Sequence, residues 1–377
     1  MADQSKGKQK TIVEEFIVTL AVLIAGVALQ VFLGGFNKTI VAFPVNLILI
    51  FITGMLFLLK KSKLLKRLAS GSLSVVLLAE ITVIAILMGL IPGNEIKESW
   101  PFVLLWMMIT VNLTAVITHR FKNKGFRDYS FLLNHLGVLI LMFAGGPGSA
   151  DKARYFMRVA EGETEWRGEP SGKKPAGEIV ELPIAITLDD FIMEEYPPKI
   201  AIIDRATGEM IPKGGPASIE SILNEKGRIE RWTLSIDSTI DRPRYAPAAY
   251  VSVNDTQKEE SFEGWVTCGN SFQLYKTLDL PDELCVAMTY PEPKSFNSHV
   301  VIYTKSGIEK RGVVSVNHPI TAGSWRIYQH SYDKLMGKES EWSIFELVYD
   351  PWLIPALIGI FLIMTGAVTL IFKGGKS

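Results

Sequence analysis

The chain is poor in the residues that mark redox, metal and phosphate-handling proteins. Only two of its 377 residues are cysteine, Cys268 and Cys285. Two are too few for a disulfide scaffold, and their spacing is not the CxxC of a thiol redox site or a metal knuckle. There is no glycine-rich phosphate loop, no HExxH and no GxSxG. The usual signals of nucleotide enzymes, zinc proteases and serine hydrolases are therefore missing. Neither sign of charge is in excess, because 39 Lys and Arg balance 39 Asp and Glu. Net charge therefore selects no class of partner, and nothing marks a nucleic-acid binder. Internal repeats are not visible either.

What the chain has in plenty is apolar sequence, 48% of residues by composition. It is concentrated in six runs, at about 15–34, 42–59, 70–91, 100–118, 129–146 and 350–372. A membrane span needs about 20 mainly apolar residues, and each run meets or approaches that. The first is too long for a signal peptide and is followed by no A-x-A-like site. Basic residues then set an orientation. Lys6, Lys8 and Lys10 precede the first run, five basic residues fill KKSKLLKR at 60–67, and four fill HRFKNKGFRD at 119–128. Lys373 and Lys376 follow the last run, whereas the two intervening short loops carry one lysine each, Lys38 and Lys97. The reading is a multi-pass membrane protein with both termini cytoplasmic. It places 1–13 as a cytoplasmic tail, 14–146 as five spans, 147–346 as a large segment outside the cytoplasm, 347–372 as the last span and 373–377 as a second tail.

The segment 147–346 reads as β-rich. YFMRVAE, EIVELPIAI, KIAIID, RWTLSID, AAYVSV, LCVAMTY, HVVIYT, GVVSV and WRIYQ are β-branched or aromatic, partly alternating, and separated by turn residues. The expected fold is an α-helical bundle of about six spans with an antiparallel β sandwich or open barrel inserted before the last span. Cys268 and Cys285 sit near neighbouring strands; they form a disulfide outside the cytoplasm or act as two small buried apolar groups.

Polar groups inside spans mark function by default. Glu80 and His135 are ionisable, and Asn112 is polar. At about 1.5 Å per residue, His135 lies roughly 9 Å from the cytoplasmic end of its span, Asn112 roughly 12 Å and Glu80 roughly 16 Å. His119, beside Arg120, sits at the membrane edge. Each has a plain reading. Asn112 hydrogen-bonds another helix, Glu80 is a carboxyl bonded to a neighbour, and His119 lies among lipid headgroups. His135 donates to a backbone carbonyl or ligates a metal or haem. Gly137, close by, leaves room for a flat cofactor or for another helix. Glu80 also admits a proton- or ion-transport reading, which the missing repeats weaken.

The most distinctive stretch is VNHPITAGSWRIYQHSYD at 316–333, followed by WSIFELVYDPWLIPALIGIFLIMTGA at 342–367. The first resembles the VN-x-P … G … YQ segment of the ResB/CcsB family, and the second resembles the V-x-D-P that leads into that family's last span. ELPIAITLDDFIMEEYPP at 181–198 and PKSFNSHVVIY at 293–303 resemble two of its strands. Asn317, Pro319, Tyr328, Gln329, Asp350 and Pro351 carry the match, and in themselves they read as turn and packing residues. His299, His318 and His330 lie nearby. Family members more often have three spans before the outer domain, and five are counted here. The tryptophan-rich WWD signature of the family's partner, CcsA or ResC, is absent.

The resemblance implies a subunit of the haem-delivery and cytochrome c synthase complex, working with a CcsA/ResC-like partner on an apocytochrome c. It is not expected to be an enzyme alone. The cofactor implied is haem b, bound without covalent linkage in transit and joined afterwards to the thiols of CxxCH. In the family, a histidine in a span is one axial ligand of a haem in the membrane. The position that matches is His135, with His119 as the alternative and with Arg120 and Lys122 placed to meet propionates at the cytoplasmic face. A rival reading is a membrane-anchored sensor or assembly scaffold whose β domain binds a protein.

Overall fold

The computed structural model describes residues 2–58, 62–91, 93, 96–124, 128–172, 177–212 and 218–374. Lys60, Lys61, Arg127 and Lys376, which entered the charge count, lie outside the described residues. The chain forms two compact units: Met1–Lys152 with Tyr349–Ser377, and Ala153–Val348.

The first unit is helical. Its helices are α1 (Ala2–Leu33), α2 (Val45–Gly54), α3 (Lys63–Leu68), α4 (Gly71–Leu90), α5 (Trp100–Lys124), α6 (Tyr129–Gly145) and α7 (Leu353–Gly374). Five segments are long and apolar enough to cross a membrane: Thr11–Leu33, Gly71–Leu90, Trp100–Lys124, Tyr129–Asp151 and Leu353–Phe372. The expected span at 42–59 is shorter than read. It forms ten residues of α2 and a four-residue 3-10 turn, Met55–Leu58. At helical rises this reaches about 23 Å, short of a hydrocarbon layer of about 30 Å. Pro44, which lacks an amide N–H, stands at its start, and the helix tightens after Gly54.

Short as it is, this segment joins both ends of the unit. At one end Asp151, just past α6, accepts from the Phe43 amide and from Asn46 Nδ2, each at 2.7 Å. At the other, the Phe57 ring meets Phe121 near the end of α5 at 6.4 Å.

Two boundaries also move. Pro147–Asp151 is a 3-10 turn that belongs with the helices, and Leu347–Tyr349 ends a strand rather than starting a span. The last helix starts at Leu353 because Asp350 receives the Trp352 amide (3.2 Å) and Lys152 Nζ (2.9 Å), while Trp352 Nε1 donates to Asp151 (2.7 Å).

α6 and α7 approach closely at glycines. A Cβ on Gly137 would lie 2.5 Å from the Gly359 carbonyl oxygen, and one on Gly366 would lie 2.6 Å from Asn134 Nδ2. The space at Gly137 is thus taken by a helix, not left for a cofactor, since small residues let backbones pack in apolar surroundings.

The second unit is antiparallel. Its strands are β1 (Ala153–Ala160), β2 (Thr164–Pro170), β3 (Val180–Glu195), β4 (Lys199–Asp204), β5 (Ser218–Glu220), β6 (Lys226–Ile229), β7 (Trp232–Ile240) and β8 (Ala248–Asp255). They continue with β9 (Ser261–Thr267), β10 (Leu278–Asp279), β11 (Leu284–Met288), β12 (Pro293–Thr304), β13 (Glu309–Ser315), β14 (Ile320–Ala322), β15 (Trp325–Tyr332) and β16 (Trp342–Tyr349). Eight strands form one sheet in the order β13-β12-β3-β2-β1-β16-β15-β14. Its two edges meet, for Gly312 on β13 faces Ile320 on β14 so closely that a Cβ would lie 2.8 Å from it. Met157, Ile186, Leu188, Val300, Ile302, Ile327 and Phe345 are fully buried in its strands. The strands at 181–198 and 293–303 pair with each other, Ser298 opposite Phe191 and Ile302 opposite Ile186.

Two four-stranded sheets, β10-β11-β4-β5 and β6-β7-β8-β9, share a second core around Trp232, Leu234, Val251, Ile200 and Val286. Cys268 lies in that core, and the buried Cys285 is adjacent in sequence to Val286, so its side chain takes the other face of β11. Both are free thiols.

Gly137→Leu should destabilise the helical unit by about 3 kcal/mol, because backbone cannot yield as a side chain can. Gly89→Leu, whose Cβ meets nothing within 4 Å, should leave the melting temperature in detergent unchanged.

Candidate functional site

At the end of the helical unit where α5 turns into α6, three side chains form a column. Arg120 is held by Asp128, which accepts from Nε at 2.6 Å and from a terminal nitrogen at 2.5 Å. Its guanidinium carbon lies 5.1 Å from the centroid of the Phe131 ring. Phe131 in turn stacks on His135, with centroids 3.7 Å apart and planes inclined by 24°. The Phe131–His135 step follows from helical spacing, since residues four apart share a face, and Arg120 joins it from α5.

The hydrogen bond of His135 decides its chemistry. Nδ1 lies 2.9 Å from the Phe131 carbonyl oxygen. A carbonyl only accepts, so Nδ1 carries the hydrogen and Nε2 keeps its lone pair. Among the described residues no hydrogen bond to Nε2 is found, and the side chain is half-buried. A carbonyl partner on one ring nitrogen is the arrangement that orients an imidazole to ligate through the other. His119 has the reverse arrangement, since Asn123 Nδ2 donates to its Nε2 at 3.0 Å, occupying that lone pair.

Glu80 and Asn112 belong to other contacts. Asn112 accepts from Ser74 Oγ at 3.0 Å and donates to the Leu68 carbonyl at 2.7 Å, tying α5 to the α3–α4 link. One carboxyl oxygen of Glu80 accepts from Thr19 on α1 at 2.6 Å, and the other, Oε2, is buried with no hydrogen-bond partner among the described residues. Glu15, one turn before Thr19, is also buried, at 7% exposure. Sequence reading passed over Glu15 because it sits at the margin of the first apolar run; the Glu15–Thr19 spacing was the available signal. Asp151, Asn46 and Trp352 were passed over too, since nothing local links residues so distant in sequence. No hydrogen bond or ring contact joins Glu80 or Asn112 to the His135 column among the described residues.

In the β unit the motif residues build structure. Asn317 takes a left-handed conformation, φ 64°, and the His318 amide donates to the Ser315 carbonyl at 3.0 Å, closing the turn before Pro319 and β14. Gln329 accepts from Ser298 Oγ at 2.7 Å and donates to the Ser331 carbonyl at 3.1 Å, and Ser298 and Ser343 hydroxyls meet at 3.0 Å. This polar trio ties β12, β15 and β16 together. Tyr328, the neighbour of Gln329 on β15, is half-buried. His299 lies on β12, His318 in the turn and His330 against the Phe156 ring at 4.5 Å. Among the described residues no three His, Cys, Asp or Glu side chains are grouped to hold a metal ion.

The model of the ResB-like family matches residues 286–340. Over that stretch the chain is similar to the ResB-like family. The match runs from β11 through β15, and so contains the Asn317 turn and the Ser298–Gln329 bond but none of the helical unit. No curated protein matches the chain.

Glu195 ends β3 opposite Pro293 of β12 and is half-buried, and burial raises its carboxyl above the ordinary value, with Lys338 opposing and Asp241 adding to the rise. The folded state therefore binds this proton more tightly than the unfolded chain does. Stability is lost as pH rises from about 4.3, the unfolded value, through the raised folded one. Glu195→Gln should raise the melting temperature at pH 7 and give no gain near pH 4.

Proposed function

We propose that this ResB-like chain is a membrane subunit of a haem-delivery and cytochrome c synthase complex, and that His135 is an axial ligand of the haem it carries. The observation that carries the reading is the Nδ1 bond of His135 to the Phe131 carbonyl, which leaves Nε2 for iron. Imidazole is a common axial ligand of haem iron. Similarity to the ResB-like family supports a role in cytochrome c biogenesis, and haem is the cargo such a role requires. Arg120 stands one ring away from His135, and a propionate arriving there would share it with Asp128.

The chain is not an enzyme alone in this reading. A CcsA/ResC-like subunit supplies the second axial ligand and the attachment chemistry, and an apocytochrome c receives the haem. The membrane is the bacterial inner membrane, with the β unit periplasmic and both termini cytoplasmic. That arrangement counts Val45–Leu58 as a sixth crossing, which its contacts with Asp151 at one end and Phe121 at the other support.

A rival, an assembly scaffold that binds a protein through the β unit, draws on the exposed Phe272, Leu274 and Tyr290, with Leu274 90% exposed. Its mark would be a purified complex without haem.

Two experiments test the proposal. His135→Ala should remove most of the haem absorbance of the purified complex, whereas His119→Ala should keep it; unchanged absorbance in His135→Ala would sink the assignment. For the crossing, Lys38→Cys should react with an impermeant thiol reagent from the periplasmic side and Lys63→Cys from the cytoplasmic side. Labelling of both from one side would show that Val45–Leu58 does not cross.

A further inference from the structure

The two lysines that stand against the charge bias of the loops, Lys38 and Lys97, are 59 positions apart in sequence. The structure places both in the lining of one cavity of about 560 Å³. The cavity lies among α2, α4, α5 and α6, at the end of the helical unit where the chain leaves at Lys152. Its walls include Leu49, Phe102, Trp106, Met107 and Phe143. Their polar neighbours are already bonded internally. Trp106 Nε1 donates to the Met142 carbonyl at 3.2 Å, Thr110 to the Trp106 carbonyl at 2.8 Å and Thr53 to the Leu49 carbonyl at 2.7 Å. The interior thus offers apolar contact and no directed hydrogen bond. Glu98 is the acid of the lining, and neither Lys38 nor Lys97 takes part in an ion pair among the described residues.

A largely apolar chamber lined by two lysines that form no ion pair among the described residues fits an amphiphile with an acidic head. We infer that the chamber holds an acyl chain of an anionic phospholipid, with the phosphate between Lys38 and Lys97. The volume lies within the range of small-molecule sites, about 300–1,000 Å³. Each lysine near a membrane surface contributes about 1 kcal/mol toward an anionic lipid. No imidazole or thiolate lines the chamber, so it lacks the nitrogen ligand that the haem reading assigns to His135. The site is independent of that reading.

Mass spectrometry of lipids retained by the full chain, purified in mild detergent, tests this. Wild-type protein should keep a phosphatidylglycerol-class lipid in preference to phosphatidylethanolamine. Lys38→Gln with Lys97→Gln should lower retention roughly thirtyfold, and Val103→Trp, which fills the chamber, should lower it too. Lys63→Gln with Lys66→Gln, at the opposite end, should keep it, with unchanged melting temperatures showing that each variant folds. His135→Ala should lose haem and keep the lipid. Equal retention of both lipids, or retention unaffected by the Lys38 and Lys97 changes, would overturn the inference; a porphyrin recovered from the His135→Ala protein with the lipid kept would overturn the His135 assignment instead.

Discussion

Hydrocarbon offers no hydrogen bonds, and the helical unit is organised around that constraint. A polar group there must find its partner inside the protein or carry a cost of several kcal/mol. Asp151 meets it by gathering the Phe43 amide, Asn46 and Trp352. Asn112 meets it by joining Ser74 to the Leu68 carbonyl. Thr110, Thr114 and Thr118 each turn back on the carbonyl four residues earlier. Against that background the groups left over stand out. Among the described residues Glu80 Oε2, Trp100 Nε1 and Ser130 Oγ are buried without hydrogen-bond partners, and none is found for His135 Nε2.

The same constraint shapes the packing of α6. One face meets α7 at Gly137 and Gly359, where backbones touch and no cofactor fits. Leu139 and Phe143 pack with Ile117 of α5, with Ile50 of α2 against them. His135 is held on the same helix by a bond within its own turn, so its ring orientation depends on no distant element. An imidazole placed this way is set by local helix geometry together with the Phe131 stack.

Much of this was legible in the sequence, and what was missed shares one cause. Period and composition were enough for KIAIID, which became β4, and for the long spans. The strand Thr164–Pro170 was missed because charged and small residues hide its alternation. Trp342–Tyr349 was missed because it adjoins an apolar run and read as its approach. The Thr19–Glu80 bond, the Asp151 cluster and the shared cavity of Lys38 and Lys97 depend on tertiary packing, which a single sequence does not display. His135 was conspicuous as a lone imidazole in an apolar run, but the direction of its free nitrogen was not. The ResB-like match lies in β11–β15, where the Gln329 trio and the Asn317 turn explain the motif as architecture. The candidate haem ligand lies elsewhere, in α6.

The central claim is that Nε2 of His135 binds haem iron. Chemical rescue tests it most directly. The side chain is deleted as His135→Gly, and the purified complex is titrated with free imidazole while its visible spectrum is followed. The account predicts that haem binding is lost with the side chain and that a six-coordinate, low-spin spectrum returns as imidazole fills the vacated position. A His135→Gly complex that keeps the wild-type spectrum without imidazole would contradict it.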